Sequence, residues 1–197
     1  MKYLLLLFSF ISWSQQTAKV DFTKCHSIVA PDHHLKKVVG AVVYHFKVLQ
    51  PIDTIRIDAK DMNFSKVKIN NKPVNFKSNK KELLLFEGFK KGNNSVSFSY
   101  TAFPKQTMYF TGQGETAQIW TQGQGKYTSH WMPSFDDVNE KVIFNLQIIS
   151  PNQFVAIANG VLQKSALADQ QLKSWFYKMQ KPMSSYLLAL VIGDFRN

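Results

Sequence analysis

Apolar and polar residues alternate with a period of two along much of this chain, and polar turns separate the alternating runs. The clearest run extends from Val38 to Leu49. One of its faces carries valines together with Tyr44 and Phe46, whereas the other carries His45 among smaller residues. We therefore predict one long strand over this run, with its Tyr44 face packed in the protein core.

Further runs of this kind predict more strands, and no stretch shows apolar residues at helical spacing. Asn70 and Asn71 tolerate positive φ and form the predicted turn of a hairpin. Residues 185–192 are apolar on both faces, which indicates a strand covered on both sides. Residues 100–119 carry proline and glycine and are predicted to form a long loop. The other predicted strands are 25–29, 54–58, 64–69, 83–86, 95–100, 118–121, 141–149, 154–159 and 172–178.

The fold class that these patterns predict is all-β, a single domain of antiparallel sheets arranged as a β-sandwich or a saddle. A length of 197 residues suits one domain with a sizeable core. The formal net charge of +11 comes from lysines scattered over predicted turns, without a basic stripe interleaved with aromatic residues. We therefore expect no nucleic-acid binding, and at most peripheral contact with an anionic membrane surface.

The first residues are typical of a targeting segment. A basic start is followed by the apolar run Leu4–Ile11, which is too short to span a bilayer, and then by small residues at Ser12 and Ser14. We predict a signal peptide over residues 1–14, a mature domain over residues 15–197, and export to the periplasm or beyond. A membrane anchor is the alternative. Cys25 is the one cysteine, so no internal disulfide can form, and we expect it to be a small buried residue.

Gln122 and Gln124 are the candidate binding residues. If the backbone is extended there, their side chains point the same way, and two carboxamides can hold an ammonium group and an amide carbonyl. The residues alone favour the alternative, a polar glycine-rich turn whose glutamines cap strands. None of the five histidines lies at helical spacing from another with a glutamate in register. We therefore predict no catalytic residue and no metal site in this chain.

Three segments together carry a resemblance to a known family. They are Trp120–Gly125 with its Gln-Gly-Gln, Trp131–Asp137 with its Pro-Ser-Phe-Asp, and Lys181–Phe195 with its Pro-Met-Ser-Ser-Tyr-Leu-Leu-Ala and Gly-Asp-Phe. They resemble the N-terminal domain of the zinc aminopeptidases of the aminopeptidase N and leukotriene-hydrolase type, peptidase family M1. Ser134 stands where cysteine is common in that family, and Val138 where proline is common.

The resemblance implies the cleft domain of an exported metallopeptidase that removes N-terminal residues from peptides. Gln124 would then help to bind the free amino group of the peptide, with Gln122 in the same pocket, and Asp136 would hold a turn. Zinc and its His-Glu-x-x-His motif would belong to a catalytic domain missing from this chain, which should be inactive alone. The alternative is a stand-alone exported β-sandwich that binds a protein or glycan at the cell envelope.

Overall fold

A computed structural model describes residues 16–123 and 127–195 of the protein. In this structure 56% of the residues are in strands and 7% are in helical turns, and no helix among the described residues reaches seven residues. These proportions confirm the all-β prediction. No helix in this part of the chain is long and apolar enough to cross a membrane. The predicted signal peptide, Gln124 and Gly125 lie outside the described residues.

The strands follow one another in the chain with four short 3₁₀ turns between them. The strands are β1 Val20–Asp32, β2 Lys37–Val48, β3 Ile55–Asp58, β4 Asn63–Ile69, β5 Lys72–Pro73, β6 Phe76–Ser78, β7 Glu82–Leu85, β8 Gly92–Ala102, β9 Met108–Thr111, β10 Gln118–Thr121, β11 Lys141–Pro151, β12 Val155–Ala158, β13 Val161–Leu167, β14 Leu172–Lys178, β15 Met183–Ser184 and β16 Leu190–Gly193. The 3₁₀ turns are Gln16–Ala18, Gly114–Thr116, Thr128–His130 and Ser185–Leu187.

The described strands form three sheets. The large sheet has the order β13-β14-β11-β1-β2-β8-β4-β5, with β15 added beside β11. A four-stranded sheet has the order β12-β16-β10-β9, and a three-stranded sheet has the order β3-β7-β6. Neighbouring strands are antiparallel except β1 and β11, which pair in parallel with Cys25 opposite Phe144. The described sheets are thus mainly antiparallel, as predicted, and the parallel pair arises because β11 rejoins the large sheet only after the chain has built most of the small sheets.

The core lies between the large sheet and the two smaller ones. In β2 every second residue from Val38 to Val48 is buried, which confirms the face that the alternation predicted. Phe22 packs against Tyr44, Phe46 and Phe135 with ring centroids 4.4–5.5 Å apart. These contacts fasten the segment around Phe135 to the large sheet. Cys25 is buried in the same core, as expected of a lone cysteine.

Two predicted elements differ in the structure, and one strand was not predicted. The predicted loop 100–119 contains the four-residue strand β9. The sequence pattern did not indicate this strand, because Pro104 precedes it and glycines follow it. Residues 185–192 form a 3₁₀ turn before the strand, because the hydroxyl groups of this segment bond to other loops. The sequence pattern missed β13, since nearly all of its residues are exposed and no apolar alternation marks it.

Candidate functional site

Gln122 follows directly after β10, and the backbone is held on both sides there. Its N–H donates to the carbonyl of Thr107 at 2.9 Å, which continues the ladder between β10 and β9. One residue earlier, the Thr121 hydroxyl accepts from the N–H of Leu190 at 2.9 Å and lies 3.3 Å from the carbonyl oxygen of the same residue. The Gln122 side chain is exposed. A fixed backbone with a free carboxamide suits a binding residue.

Gly123 lies against the turn that contains Tyr186. A Cβ at this position would be 2.6 Å from the Tyr186 carbonyl oxygen, which is a backbone atom and has little freedom to move. This close neighbour belongs to the same chain, so tight packing fixes the backbone at Gly123.

The described chain resumes at Tyr127, which has a left-handed backbone with φ of 79°. Its N–H donates to one carboxylate oxygen of Asp136 at 3.1 Å, and its carbonyl accepts from the Thr107 hydroxyl at 2.8 Å. Thr107 therefore bonds to both Gln122 and Tyr127. We call the stretch of chain from Gln122 to Tyr127 the glutamine loop. Nothing in the sequence pattern marks Thr107 or the left-handed Tyr127, so the prediction missed both.

Asp136 stabilises the Tyr127 end of this loop. Besides the Tyr127 N–H, its carboxylate accepts the hydroxyl of Ser129 at 3.0 Å and lies 3.4 Å from the Lys60 ammonium. Its own N–H donates to the Asp58 carboxylate at 2.7 Å. The structure thus confirms the interpretation of Asp136 as a carboxylate that accepts bonds in a turn.

Burial changes the protonation of the groups around Asp136. It raises the pKa of Asp58, and the neighbouring Asp136 carboxylate adds to that rise while the Asp136 N–H opposes it. Burial also lowers the pKa of His130, against the pull of the Asp136 carboxylate. The Lys60 ammonium compensates part of the negative charge. These side chains form a structural network around Asp136. None of their carboxylates contacts Gln122 in the structure.

The three segments that carry the family resemblance meet here. The Thr128 hydroxyl donates to the Ser185 carbonyl at 2.8 Å, and the Ser185 hydroxyl in turn donates to the Phe135 carbonyl. The hydroxyl of Ser184 donates to the Val138 carbonyl. The serines of the third segment therefore join the second segment to the end of the glutamine loop. Ser134, at the position where cysteine is common, is fully buried.

Metal ligands do not gather at this site. No group of three or more His, Cys, Asp or Glu side chains that could hold a metal ion occurs in residues 16–123 and 127–195. The two histidines in described strands of the large sheet, His26 and His45, have ring centroids 6.2 Å apart. The donor set that a zinc site requires is thus not present in the described part of the chain.

A family comparison identifies the domain. The peptidase M1 N-terminal domain matches residues 24–187. This chain belongs to that family. The match confirms the resemblance, and it includes Gln122, Gln124 and the Asp136 segment. M1 peptidases depend on zinc, and the N-terminal domain is one part of a multidomain aminopeptidase.

Individual relatives agree with the assignment. The chain is 28% identical over 111 residues to glutamyl aminopeptidase of Rattus norvegicus, a match that takes in 56% of this chain and 11% of that protein. It is 33% identical over 92 residues to aminopeptidase N of the same organism, with 45% of this chain and 9% of that protein covered. The chain therefore spans only about a tenth of the length of these relatives.

Solved structures share the fold. The M1 zinc metallopeptidase from Deinococcus radiodurans superposes with a TM-score of 0.78 at 14% identity, covering 89% of this chain and 42% of that one. A two-domain M1 zinc metallopeptidase bound to L-tryptophan gives a TM-score of 0.77 at 16% identity, covering 89% and 43%. At these identities the likeness establishes the fold, and this M1 domain accounts for less than half of each structure.

Proposed function

We propose that this M1 domain forms one wall of the substrate cleft of a zinc aminopeptidase, an enzyme that removes residues from the amino end of peptides. In this proposal Gln122 and Gln124 belong to the subsite for the free amino group of the substrate. The observation that carries the proposal is the position of Gln122. Its backbone is fixed by Thr107, its side chain is exposed, and the three family segments converge beneath it.

The proposed role of the two glutamines is to bind and orient. A carboxamide oxygen accepts a bond from a substrate ammonium group, and the carboxamide NH₂ donates to the first peptide carbonyl. Gln122 presents both groups from an anchored strand end, so little backbone freedom is lost when a peptide binds. Neither glutamine exchanges a proton in the relevant pH range, so this domain contributes affinity and position and takes no part in proton transfer.

The described residues do not fit a zinc ion, because they contain no suitable group of ligands. We therefore place the zinc and the groups that activate water on a further domain of the same polypeptide. On this proposal the present chain alone would bind no catalytic metal and would not hydrolyse peptides. The partner of the cleft wall is then that catalytic domain, and the ligand is the amino end of a peptide.

We also propose that the protein is exported to the periplasm or beyond, because residues 1–14 have the pattern of a signal peptide. Sequencing of the amino end of the native protein tests this directly. A mature protein that starts at Gln15 would support export by this signal. A native protein that retains Met1 and the apolar run would contradict it.

The subsite is tested by kinetics of the complete polypeptide with aminoacyl p-nitroanilides. Gln124→Ala should raise KM about 10-fold or more with a smaller change in kcat, because one hydrogen bond to a charged group is worth about 1.5–3 kcal/mol. Gln122→Ala should act in the same direction. The matched control is Gln170→Ala, an exposed glutamine in the turn before β14. Unchanged KM for Gln124→Ala would show that this residue is not in the subsite.

The size of the native protein separates the proposal from the stand-alone alternative. A native product well above the mass of this chain, 22.6 kDa before processing, would support a domain of a longer aminopeptidase. A native product of about that mass would contradict it and favour a separate β-sandwich that binds a protein or glycan. Intact mass spectrometry or a blot from the source cells gives the answer.

A further inference from the structure

A pocket opens at one end of the sandwich, where two neighbouring strands of the large sheet stop pairing. Strands β1 and β11 pair in parallel only as far as Val29, which lies opposite Ile148. Beyond that point β1 continues beside β2 to Asp32, and β11 continues beside β14 to Pro151. Pro31 and Pro151 lie in these continuations, and a proline has no N–H to donate to a ladder. The two strand ends line a pocket of about 1090 Å³, which we call the end pocket.

The inner wall of the end pocket is apolar. Phe110 lies opposite Ile119, and Ile119 lies opposite Ile192, in the pairing of the four-stranded sheet, and all three pack in the core. Other apolar lining residues come from the large sheet and from the turn before β12. They are Ala30, Pro31, Val39, Ile149, Pro151, Phe154 and Leu172. An apolar wall of this extent suits a ligand that has an apolar chain.

The exposed side of the end pocket carries positive charge. Lys36 lies in the turn between β1 and β2, and Lys37 begins β2. Within the described part of the chain neither lysine belongs to an ion pair. Asp32 is the one acidic side chain among the described lining residues, and its carboxylate accepts the N–H of Leu35 at 2.9 Å. That bond stabilises the turn and leaves the two lysines without a counter-charge beside an apolar wall.

His33 is fixed between the charged side and the apolar wall. Its Nε2–H donates to the Thr111 carbonyl at 2.9 Å, which joins the β1–β2 turn to the end of β9. Because a carbonyl only accepts, Nε2 carries the proton in this bond, and Nδ1 is left for a ligand. The ring contacts Phe110 edge-on, with centroids 6.2 Å apart. The remaining polar lining residues are His34, Gln113 and Gln153.

We propose that the end pocket binds an amphipathic acid, that is, a carboxylate carried on an apolar chain. The carboxylate would lie between Lys36, Lys37 and Nδ1 of His33, and the chain would lie along the apolar wall. An uncharged apolar molecule would leave the lysines without a counter-charge, and a small inorganic anion would leave the wall in water. A fatty acid and the carboxyl end of an apolar peptide both have this chemistry.

The end pocket is separate from the proposed subsite for the substrate amino group. It adjoins the start of β10 through Ala117 and Ile119, whereas Gln122 follows the end of that strand. The proposal therefore stands on its own residues and does not depend on aminopeptidase activity.

Isothermal titration calorimetry of the complete native polypeptide tests the ligand class. With octanoate, decanoate and dodecanoate, Kd should fall about 10-fold for every two methylene groups added, because each buried methylene leaves water. Octyltrimethylammonium, which has the same chain length as octanoate and a cationic head, should bind at least 10-fold more weakly. N-acetyl-leucyl-leucine, whose amino end is blocked, distinguishes the two sources. Tighter binding of this peptide than of dodecanoate would assign the carboxylate to a peptide, and the reverse order would assign it to a fatty acid.

A pair of lysine substitutions tests the position of the site. Lys36→Gln combined with Lys37→Gln should weaken dodecanoate binding about 10-fold or more. The matched control is Lys80→Gln combined with Lys81→Gln, which removes two exposed lysines from the turn between β6 and β7 and changes the net charge equally. The control should bind dodecanoate as tightly as the wild type.

The apolar wall is tested separately at Leu172, a half-buried lining residue. Leu172→Asp should weaken dodecanoate binding about 10-fold or more, whereas Leu167→Asp, at a 67% exposed leucine of β13, should leave it unchanged. The proposal would be overturned if dodecanoate did not bind at concentrations up to about 1 mM. It would also be overturned if Kd were independent of chain length, if octyltrimethylammonium bound as tightly as octanoate, or if the pocket variants matched their controls.

Discussion

Glu140 is a buried carboxyl group whose ionisation should change the stability of this domain with pH. It precedes β11, is 4% exposed, and accepts the N–H of Phe22 at 3.2 Å. Burial raises its pKa from 4.5 to about 7, the Asp21 and Asp137 carboxylates add to the rise, and the Phe22 N–H opposes it. The folded domain therefore binds this proton more tightly than the unfolded chain does.

The sign and size of the effect follow from that difference. Because the folded-state pKa is the higher one, the stabilisation is complete below pH 4.5 and is lost as the pH rises through about 7. At about 1.4 kcal/mol for each pH unit, the whole loss is about 3 kcal/mol. About 2.5 kcal/mol of it falls between about pH 5 and pH 8. The raised pKa of Asp58 contributes in the same direction but is common to the variants compared.

Urea unfolding followed by tryptophan fluorescence measures this loss. Glu140→Gln keeps an oxygen that can accept the Phe22 N–H and removes the titration. Relative to this variant, the wild type should lose about 2.5 kcal/mol of unfolding free energy between about pH 5 and pH 8. Glu115→Gln, which changes an exposed carboxylate in the turn before β10, should lose the same unfolding free energy between these pH values as the wild type. If wild type and Glu140→Gln instead differ by the same amount at both pH values, Glu140 does not have a raised pKa.

Two further substitutions test the framework under the glutamine loop. Gly123→Ala should lower the unfolding free energy by about 1–3 kcal/mol, because its Cβ would lie 2.6 Å from the Tyr186 carbonyl oxygen; an unchanged urea midpoint would contradict this close packing. Asp136→Ala should cost about 2–4 kcal/mol in the same assay, because it removes the acceptor of Tyr127 and Ser129 and leaves Lys60 unpaired. Asp137→Ala, which removes only bonds to Asn139, should cost under about 1 kcal/mol, and equal costs would refute the role of Asp136.

The local sequence pattern predicted elements correctly where one face of a strand is buried and the other is exposed. The strand β2 and its core face were predicted correctly, because a one-residue slip would expose the buried side chains of Val38, Val42, Tyr44, Phe46 and Val48. The Asn70–Asn71 turn was correct because both residues have positive φ, of 51° and 66°. The exposed strand β13 and the short strand β9 were missed because the first has no buried face and the second is too short to show a period.

Long-range contacts could not be predicted in this way. The pairing of β1 with β11 and the ion pair between Lys60 and Asp136 join residues that are distant in the chain. A local periodicity does not show which distant segments come into contact. The sequence placed Gln122 at the end of a strand, and the structure agrees. The support that Thr107 gives to both Gln122 and Tyr127 became visible only in the folded chain.

The arrangement around β10 gives the proposed subsite its rigidity. A subsite that orients an amino group requires side chains held within a fraction of an ångström, and here that rigidity comes from bonds to Thr107, Leu190 and Asp136. These bonds join β9, β16 and the segment around Asp136 to the two ends of the same stretch of chain. A substitution that removes one of them should therefore appear in the kinetics as weaker binding of the amino end of the peptide, even where no substrate-binding residue has been changed.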